Sequence, residues 1–171
     1  AAHPEELHAA DREPLAYDLE HVVGAQDQED VGEHQDGVRA LAGLHVGVLG
    51  IERPDGPPLV VPVWYSYEPG GDVEVLTSAT SLKGQLSAAA GRASLCAQQE
   101  ELPYKYVSVE GPVEIVELDA AASRAAVEPM AIRYLGEELG RGYAASSVGP
   151  DDILIRLRPD HWFTVDYAKP T

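Results

Sequence analysis

Apolar and polar residues alternate through most of the chain after residue 38, and this period of two predicts β-strands. The alternating runs are bounded by clusters of Gly, Pro and Asp that are typical of turns, such as ERPDGPP at 52–58 and EPGGD at 68–72. The predicted strands cover residues 44–51, 59–67, 73–78, 92–99, 104–118, 151–159 and 161–168. Strands therefore dominate, and we expect most neighbouring strands to pair antiparallel.

Two stretches follow the helical period instead. Residues 81–91, SLKGQLSAAAG, predict a short helix that ends at Gly91. Residues 119–140 hold the longest helical pattern, for which Asp119 is a good N-cap. Pro129 lies inside this pattern and is expected to break it into two pieces.

The long alternating run at residues 104–118 is interrupted by Gly111 and Pro112. A Gly-Pro pair inside a strand predicts a bend or bulge at which one strand turns the corner of a barrel. Many strands with few helices argue for a mainly β (α+β) fold. We therefore predict a small, closed or half-closed antiparallel barrel with inserted helices.

Residues 1–37 differ in composition from the rest of the chain: they are polar, acidic and poor in aromatic side chains. The segment GAQDQEDVGEHQDG has no apolar face at either period, so burial cannot offset the entropy of ordering it. We predict a mobile acidic leader at 1–37 and a folded domain at 38–171 that opens with a short helical turn. Four of the six histidines lie in the leader, at spacings that fit no known metal-ligand pattern, so no metal site is predicted; they are His3, His8, His21 and His34.

Composition narrows the function classes. The net charge is −17 and no basic stripe is present, which disfavours nucleic acid as a partner. The single cysteine, Cys96, excludes an intrachain disulfide and a Cys-based zinc site, and suits a reducing cytoplasm. No run approaches the roughly 18 apolar residues that span a bilayer, so a membrane partner is not expected.

Familiar catalytic motifs are missing from the sequence: it contains no P-loop, GxGxxG fingerprint or nucleophile elbow. His161 and Asp166 share a predicted strand, but their odd separation places them on opposite faces, which disfavours a hydrolytic triad. The adjacent pairs Glu100-Glu101 and Glu137-Glu138 diverge on either a helix or a strand and make poor acid–base dyads.

The segment TSATSLK, Thr77–Lys83, combines four hydroxyls with one cation between an apolar strand and a helix. Hydroxyl donors, backbone N–H groups at a helix start and a lysine together can bind an anion. A capped helix followed by a surface lysine explains the same pattern. The spacing alone leaves both interpretations open.

The order of these segments resembles the pyridoxamine 5'-phosphate oxidase-like superfamily over about residues 40–168. More narrowly, it is similar to the B branch of the actinobacterial flavin/deazaflavin oxidoreductases of the split β-barrel type. The motifs that carry the likeness are P-V-W-Y at 62–65, T-x-x-x-S-x-K at 77–83, V-E-G at 109–111 and R-x-x-P-x-x-W-x-T-x-D-Y at 156–167. The acidic leader has no counterpart in that pattern.

The resemblance implies a split β-barrel that forms a homodimer, with two cofactor sites in grooves at the subunit interface. It implies that the cofactor ring lies against the strand that contains Val61, Pro62, Val63 and Trp64. It implies that the cofactor phosphate is held by Thr77, Ser78, Ala79, Ser81 and Lys83. The C-terminal strand of the partner chain, near Trp162, is implied as a further contact.

The resemblance also implies an oxidoreductase that uses the deazaflavin F420 to transfer a hydride to an unsaturated small molecule. FMN is the alternative cofactor, but FMN-using members place further arginines around the phosphate, whereas here Lys83 stands alone and Arg92 is nine residues on. A non-catalytic flavin or deazaflavin carrier is a third hypothesis. The cofactor itself carries the chemistry, so no side-chain base is required and the catalytic residues stay unassigned; Tyr104, Tyr106 and Tyr143 are candidate proton donors.

Overall fold

The computed structural model describes residues 31–168. Within that range no helix is long and apolar enough to cross a membrane. The helices and strands of the described range are α1 (Val31–Ala42), β1 (Gly47–Ile51), β2 (Leu59–Val63), β3 (Ser66–Tyr67), β4 (Val73–Ser78), α2 (Leu82–Ala90), β5 (Arg92–Gln99), β6 (Lys105–Glu117), α3 (Ala120–Leu135), α4 (Glu137–Ser146), β7 (Asp152–Leu157) and β8 (His161–Asp166).

The strands form one curled antiparallel sheet in the order β2-β1-β5-β6-β7-β4-β3, with β8 also paired to β6. Alternate side chains point inside the curl, as the period of two requires, and the core contains the fully buried Leu49, Leu95, Val107 and Ile155. The predicted fold class is confirmed, because the described residues build a half-barrel to which helices are added.

The predicted strand 59–67 is wrong in one respect, because it is two strands. β2 pairs with β1, and β3 pairs with β4 at the far end of the sheet order. The ladder breaks at Trp64 and Tyr65, where the hydroxyl of Tyr134 takes the place of a neighbouring strand: it accepts from the Tyr65 N–H at 3.2 Å. The same hydroxyl lies 2.7 Å from the carbonyl of His45, to which it donates. A side chain 69 residues away thus satisfies backbone groups that the break would leave unpaired.

The predicted corner at Gly111-Pro112 is where β6 changes partners. Before this point β6 pairs with β8, and after it β6 pairs with β7. The extra residue of the bulge lies in the segment that faces β6. His161 pairs with Glu110 and Leu157 with Val113, so four residue positions between β7 and β8 face three in β6. A Cβ on Gly111 would lie 2.0 Å from the Arg158 carbonyl, so glycine permits this close approach.

Helix α2 begins and ends where the sequence predicts, with Ser81 as N-cap and Gly91 in the left-handed conformation as C-cap. Asp119 caps α3, accepting from the N–H groups of Ala121 and Ala122 at 2.9 and 2.8 Å. The predicted break at Pro129 is wrong, because α3 continues to Leu135 and the chain turns at Gly136, whose φ is +81°. A positive φ favours glycine, and this turn starts the antiparallel hairpin of α3 and α4.

Helix α1 begins at Val31, so residues 31–37 of the predicted leader form its first turns. Its Leu41 is fully buried, and the Arg133 guanidinium of α3 donates to the carbonyls of Ala42 at 2.7 Å and Gly43 at 2.5 Å, where the helix ends. The predicted domain boundary at residue 38 therefore falls inside a helix. The rest of the leader, with His3, His8 and His21, lies outside the described residues, and its mobility stays a prediction.

Candidate functional site

A cavity of about 380 Å³ lies between the outer face of the sheet and the α3–α4 hairpin. Its strand side is lined by Val46, Pro62, Val63, Trp64 and Leu76. Its helix side is lined by Lys83, Val127, Met130, Ala131 and Tyr143. Apolar walls with one cation and one phenol are typical of a pocket for a largely apolar ligand that carries an anionic group.

The aromatic wall of this cavity is built from two distant parts of the chain. The indole of Trp64 stacks on the ring of Tyr134 with centroids 5.0 Å apart and planes 5° apart. Tyr143 of α4 meets the same indole at 5.4 Å with a tilt of 57°. Because the hydroxyl of Tyr134 is also bonded at the break between β2 and β3, the orientation of Trp64 is tied to the position of α3.

The positively charged residue among those that line the cavity is Lys83, in the first turn of α2. The turn before it is hydrogen-bonded internally: Ser81 Oγ donates to the Ser78 carbonyl at 2.7 Å and accepts from the Gly84 N–H at 3.1 Å. The hydroxyl oxygens of Thr77 and Ser81 lie 3.0 Å apart, within hydrogen-bond distance. Those of Ser78 and Thr80 lie 2.8 Å apart. These bonds are those of a capped helix, so both interpretations of the segment are compatible with the structure. Lys83 is the residue of this segment that lines the cavity.

Four of the ten residues predicted to bind a cofactor line the cavity together: Pro62, Val63, Trp64 and Lys83. Val61 instead packs against the buried core. Thr77, Ser78, Ala79 and Ser81 form the turn behind Lys83, and the Ala79 N–H is bonded to the Asp151 carbonyl at 2.8 Å. Their predicted contact with a phosphate stays a prediction.

Trp162 lies elsewhere in the protomer. Its indole contacts His34 of α1 edge-on, with centroids 4.9 Å apart, and Tyr67 of β3 at 6.2 Å. It stands opposite Val109 in the register of β8 and β6, on the side of the sheet that α1 covers. Its predicted contact with a cofactor bound by the partner subunit stays a prediction.

The helical wall of the cavity consists of Val127, Met130, Ala131 and Tyr143. The sequence analysis named Tyr143 as a candidate proton donor but missed the other three. The apolar residues of α3 recur at helical spacing, so a buried face was foreseeable, but nothing in the sequence tells which part of the sheet that face covers. Gly140 permits the close packing of α4 on α3 that brings Tyr143 to the cavity, because a Cβ at Gly140 would lie 2.5 Å from the Ile132 Cα.

Burial and nearby charge alter two titratable groups around this wall. Burial raises the pKa of the Tyr134 phenol, so its hydroxyl stays protonated and available as a donor. Burial also lowers the pKa of His45, and the positive charges of Lys105 and Arg133 lower it further.

No protein-family model and no curated protein matches this sequence. Solved structures do match. A conserved hypothetical protein of Mycobacterium tuberculosis, Rv2991, is similar with a TM-score of 0.65 and 21% identity, over 80% of this chain and 88% of that one. An F420 reductase is similar with a TM-score of 0.60 and 24% identity, over 73% of this chain and 94% of that one.

A pyridoxamine 5'-phosphate oxidase-related, FMN-binding protein of Nostoc punctiforme is similar with a TM-score of 0.56 and 15% identity, over 84% of this chain and 87% of that one. Identities this low show a common fold and carry no activity with them. The sequence motifs, the half-barrel topology and these three likenesses agree, so the chain has the split β-barrel fold of the pyridoxamine 5'-phosphate oxidase-like superfamily that its sequence resembles.

Proposed function

We propose that the chain is an oxidoreductase that binds F420 and transfers a hydride to an unsaturated small molecule. The observation that carries the proposal is the cavity itself, which brings Pro62, Val63 and Trp64 of one predicted motif together with Lys83 of another. A flat apolar wall that ends in a cation suits a cofactor that joins a planar ring to a phosphate-bearing tail. The likeness to an F420 reductase supports this choice of cofactor.

The residues that line the cavity would have distinct roles in binding the cofactor. Pro62, Val63 and Trp64 would support the ring, and Lys83 would pair with the phosphate. Val127 and Met130, both buried, would exclude water from the ring. When bound and reduced, the cofactor supplies the hydride, which together with one proton saturates the double bond of the acceptor.

A proton at that step needs a donor near the ring. Of the three candidate tyrosines, Tyr143 lines this cavity, whereas Tyr104 and Tyr106 line another. Tyr143 is 45% exposed, so its hydroxyl can exchange protons with water. We therefore take Tyr143, or water beside it, as the donor in this proposal.

The homodimer that the resemblance implies is part of the proposal. The outer face of strands β2, β1, β5, β6 and β8 carries exposed apolar side chains, among them Val48 at 39%, Val60 at 62% and Phe163 at 45% exposure. In the registers, Pro62, Val48, Cys96, Ser108 and Phe163 form one row across this face. A contiguous apolar face on a sheet is typical of an interface, and a second copy would bury it. Val46 and Pro62 belong to both this face and the cavity.

FMN is the second candidate cofactor, favoured by the likeness to an FMN-binding protein. It ranks second because the resemblance associates FMN with further arginines around the phosphate, whereas among residues 31–168 Lys83 is the one cation that lines this cavity. A carrier without turnover would use the same cavity, but would show no reduction of any acceptor. The cytoplasmic location inferred from the single cysteine stays a prediction.

The test is a pair of equilibrium titrations of the purified protein with F420 and with FMN, followed by fluorescence. We expect micromolar or tighter binding of F420 and weaker binding of FMN. Lys83→Met should weaken cofactor binding about 10- to 150-fold, the equivalent of one charge-assisted hydrogen bond of about 1.5–3 kcal/mol. Arg53→Met, which removes an exposed cation in the turn between β1 and β2, is the matched control and should change nothing.

Three results would count against the proposal. Preference for FMN would move the protein to the flavin-dependent alternative. Binding of F420 with no reduction across a panel of unsaturated acceptors would favour the carrier. If neither cofactor binds, the cavity has some other ligand and the proposal is wrong.

A further inference from the structure

A second cavity, of about 360 Å³, lies where β5 ends, β6 begins and the chain leaves β8. Its lining includes Gln98, Gln99, Tyr104, Lys105, Tyr106 and Tyr167. Local hydrogen bonds fix its walls: the Tyr167 N–H donates to the Tyr104 carbonyl at 3.1 Å. The amide of Gln99 donates to the carbonyls of Glu101 and Pro103 at 3.0 and 3.1 Å. The cavity is therefore built by the fold and is not a gap beside a loose loop.

The two cavities are neighbours on the outer face of the sheet. Val48 stands opposite Cys96 in the register of β1 and β5. Two residues beyond this last pair lie Val46, which lines the first cavity, and Gln98, which lines the second. The two cavities therefore lie toward the same end of the β1–β5 pair. A ligand that extends past Val46 from the first cavity would enter the second.

The second cavity differs from the first in its chemistry. Three phenols and two carboxamides replace the aliphatic wall, and the cation is Lys105, which is half-buried. Within residues 31–168 the Lys105 ammonium forms no ion pair. The carboxylate opposite it in the register, Asp166, instead accepts from the Ala168 N–H at 2.9 Å. A half-buried cation without a counter-ion favours an anionic ligand.

Glu100 is the one carboxylate among the lining residues, and it is exposed, whereas Lys105 is half-buried. Water screens the exposed charge of Glu100 more than that of Lys105, and Asp166, which stands opposite Lys105 in the register, does not line the cavity. Lys105 is therefore the less screened of the two lining charges.

We propose that this second cavity is the acceptor subsite, and that it binds planar unsaturated molecules that carry an acid group. Lys105 pairs with the acid group, and the tyrosines enclose the planar part. The conjugated double bond then points past Val46 toward the first cavity. The assignment of an acceptor rests on the proposed function, but the selectivity for planar acids does not.

The test is a titration of the full chain, with no cofactor present, using trans-cinnamate and its neutral analogue cinnamamide. We expect cinnamate to bind more tightly than cinnamamide. Lys105→Met keeps the aliphatic stem and should weaken cinnamate binding about 10- to 100-fold while leaving cinnamamide unchanged. Lys105→Arg should retain the preference for the acid. Lys83→Met, in the first cavity, is the matched control and should leave cinnamate binding within about twofold.

A second variant tests the aromatic wall. Tyr167 is 57% exposed and follows β8, and its bond to Tyr104 uses only its backbone, so Tyr167→Ala should fold. It should weaken cinnamate and cinnamamide by the same factor, since it removes packing and no charge.

Equal affinity for the acid and the amide in the unaltered protein would overturn the inference. So would a loss of cinnamate binding on Lys83→Met that exceeds the loss on Lys105→Met. A change of dimerisation in Lys105→Met, with cinnamate binding unchanged, would also overturn it by assigning the cavity to the subunit interface. If cinnamate binds as expected but neither F420 nor FMN binds, the proposed function fails while the site stands.

Discussion

Replacing Tyr134 by Phe removes one hydroxyl and keeps the ring that stacks on Trp64. That hydroxyl accepts from the Tyr65 N–H at 3.2 Å and donates to the His45 carbonyl at 2.7 Å, in the gap where the chain passes from β2 to β3. Tyr65 is fully buried, so water has little access to the N–H that loses its partner. An unsatisfied buried polar group costs about 1–3 kcal/mol, so two such groups predict a loss of about 2–6 kcal/mol in the free energy of unfolding.

The assay is urea unfolding followed by tryptophan fluorescence, with near-UV circular dichroism to check that Trp64 keeps its stacked environment. Tyr143→Phe is the matched control, because the Tyr143 hydroxyl makes no hydrogen bond within the described residues, and it should change stability by less than about 0.5 kcal/mol. A loss below that value for Tyr134→Phe would refute the reasoning, since it would mean that the break between β2 and β3 does not depend on the hydroxyl.

Two further predictions follow from the close contact at the barrel corner and from the half-buried His45. Gly111→Ala should lower the free energy of unfolding by more than about 3 kcal/mol in urea titrations, because its Cβ would lie 2.0 Å from the Arg158 carbonyl, whereas Gly142→Ala, with open space around it inside α4, should raise that free energy by about 0.5–1 kcal/mol. A small loss at Gly111 would mean that the corner relaxes. Burial and then the charge of Lys105 lower the pKa of His45, so the unfolded chain takes up its proton first as the pH falls through the ordinary value of 6.5. Stability should therefore decrease below that pH, less steeply in His45→Gln, and identical pH profiles of unfolding would contradict this prediction.

Local patterns predicted the elements well, because each depends on residues within a few positions. Alternation located the strand residues of the sheet, although it joined β2 and β3 into one strand. Ser81 and Gly91 bounded α2, and Asp119 capped α3 as expected. The predicted helix break at Pro129 was wrong. Pro129 stays inside α3 with its ring facing solvent, and the chain turns only at Gly136.

The sequence motifs singled out residues on one side of the candidate site but not the helices on the other side. The motifs identified Pro62, Val63, Trp64 and Lys83, which meet in the first cavity. The helical wall was not predicted, because the placement of α3 against the sheet depends on packing between residues far apart in sequence. The same holds for Trp162, for which the resemblance implied a contact with the cofactor of a partner chain. Within this chain its ring contacts His34 and Tyr67.

The sequence by itself determined the periodicity, the caps, the strand-rich fold class and the motifs that carry the family likeness. These are properties of short segments, in which side-chain spacing and backbone preference act directly. Only the tertiary structure decided that residues 59–67 form strands at two ends of the sheet and that the bulge lies opposite Gly111. It alone also placed two cavities toward the same end of the β1–β5 pair. Those features arise from contacts between segments tens of residues apart, and no local pattern records which segments will meet.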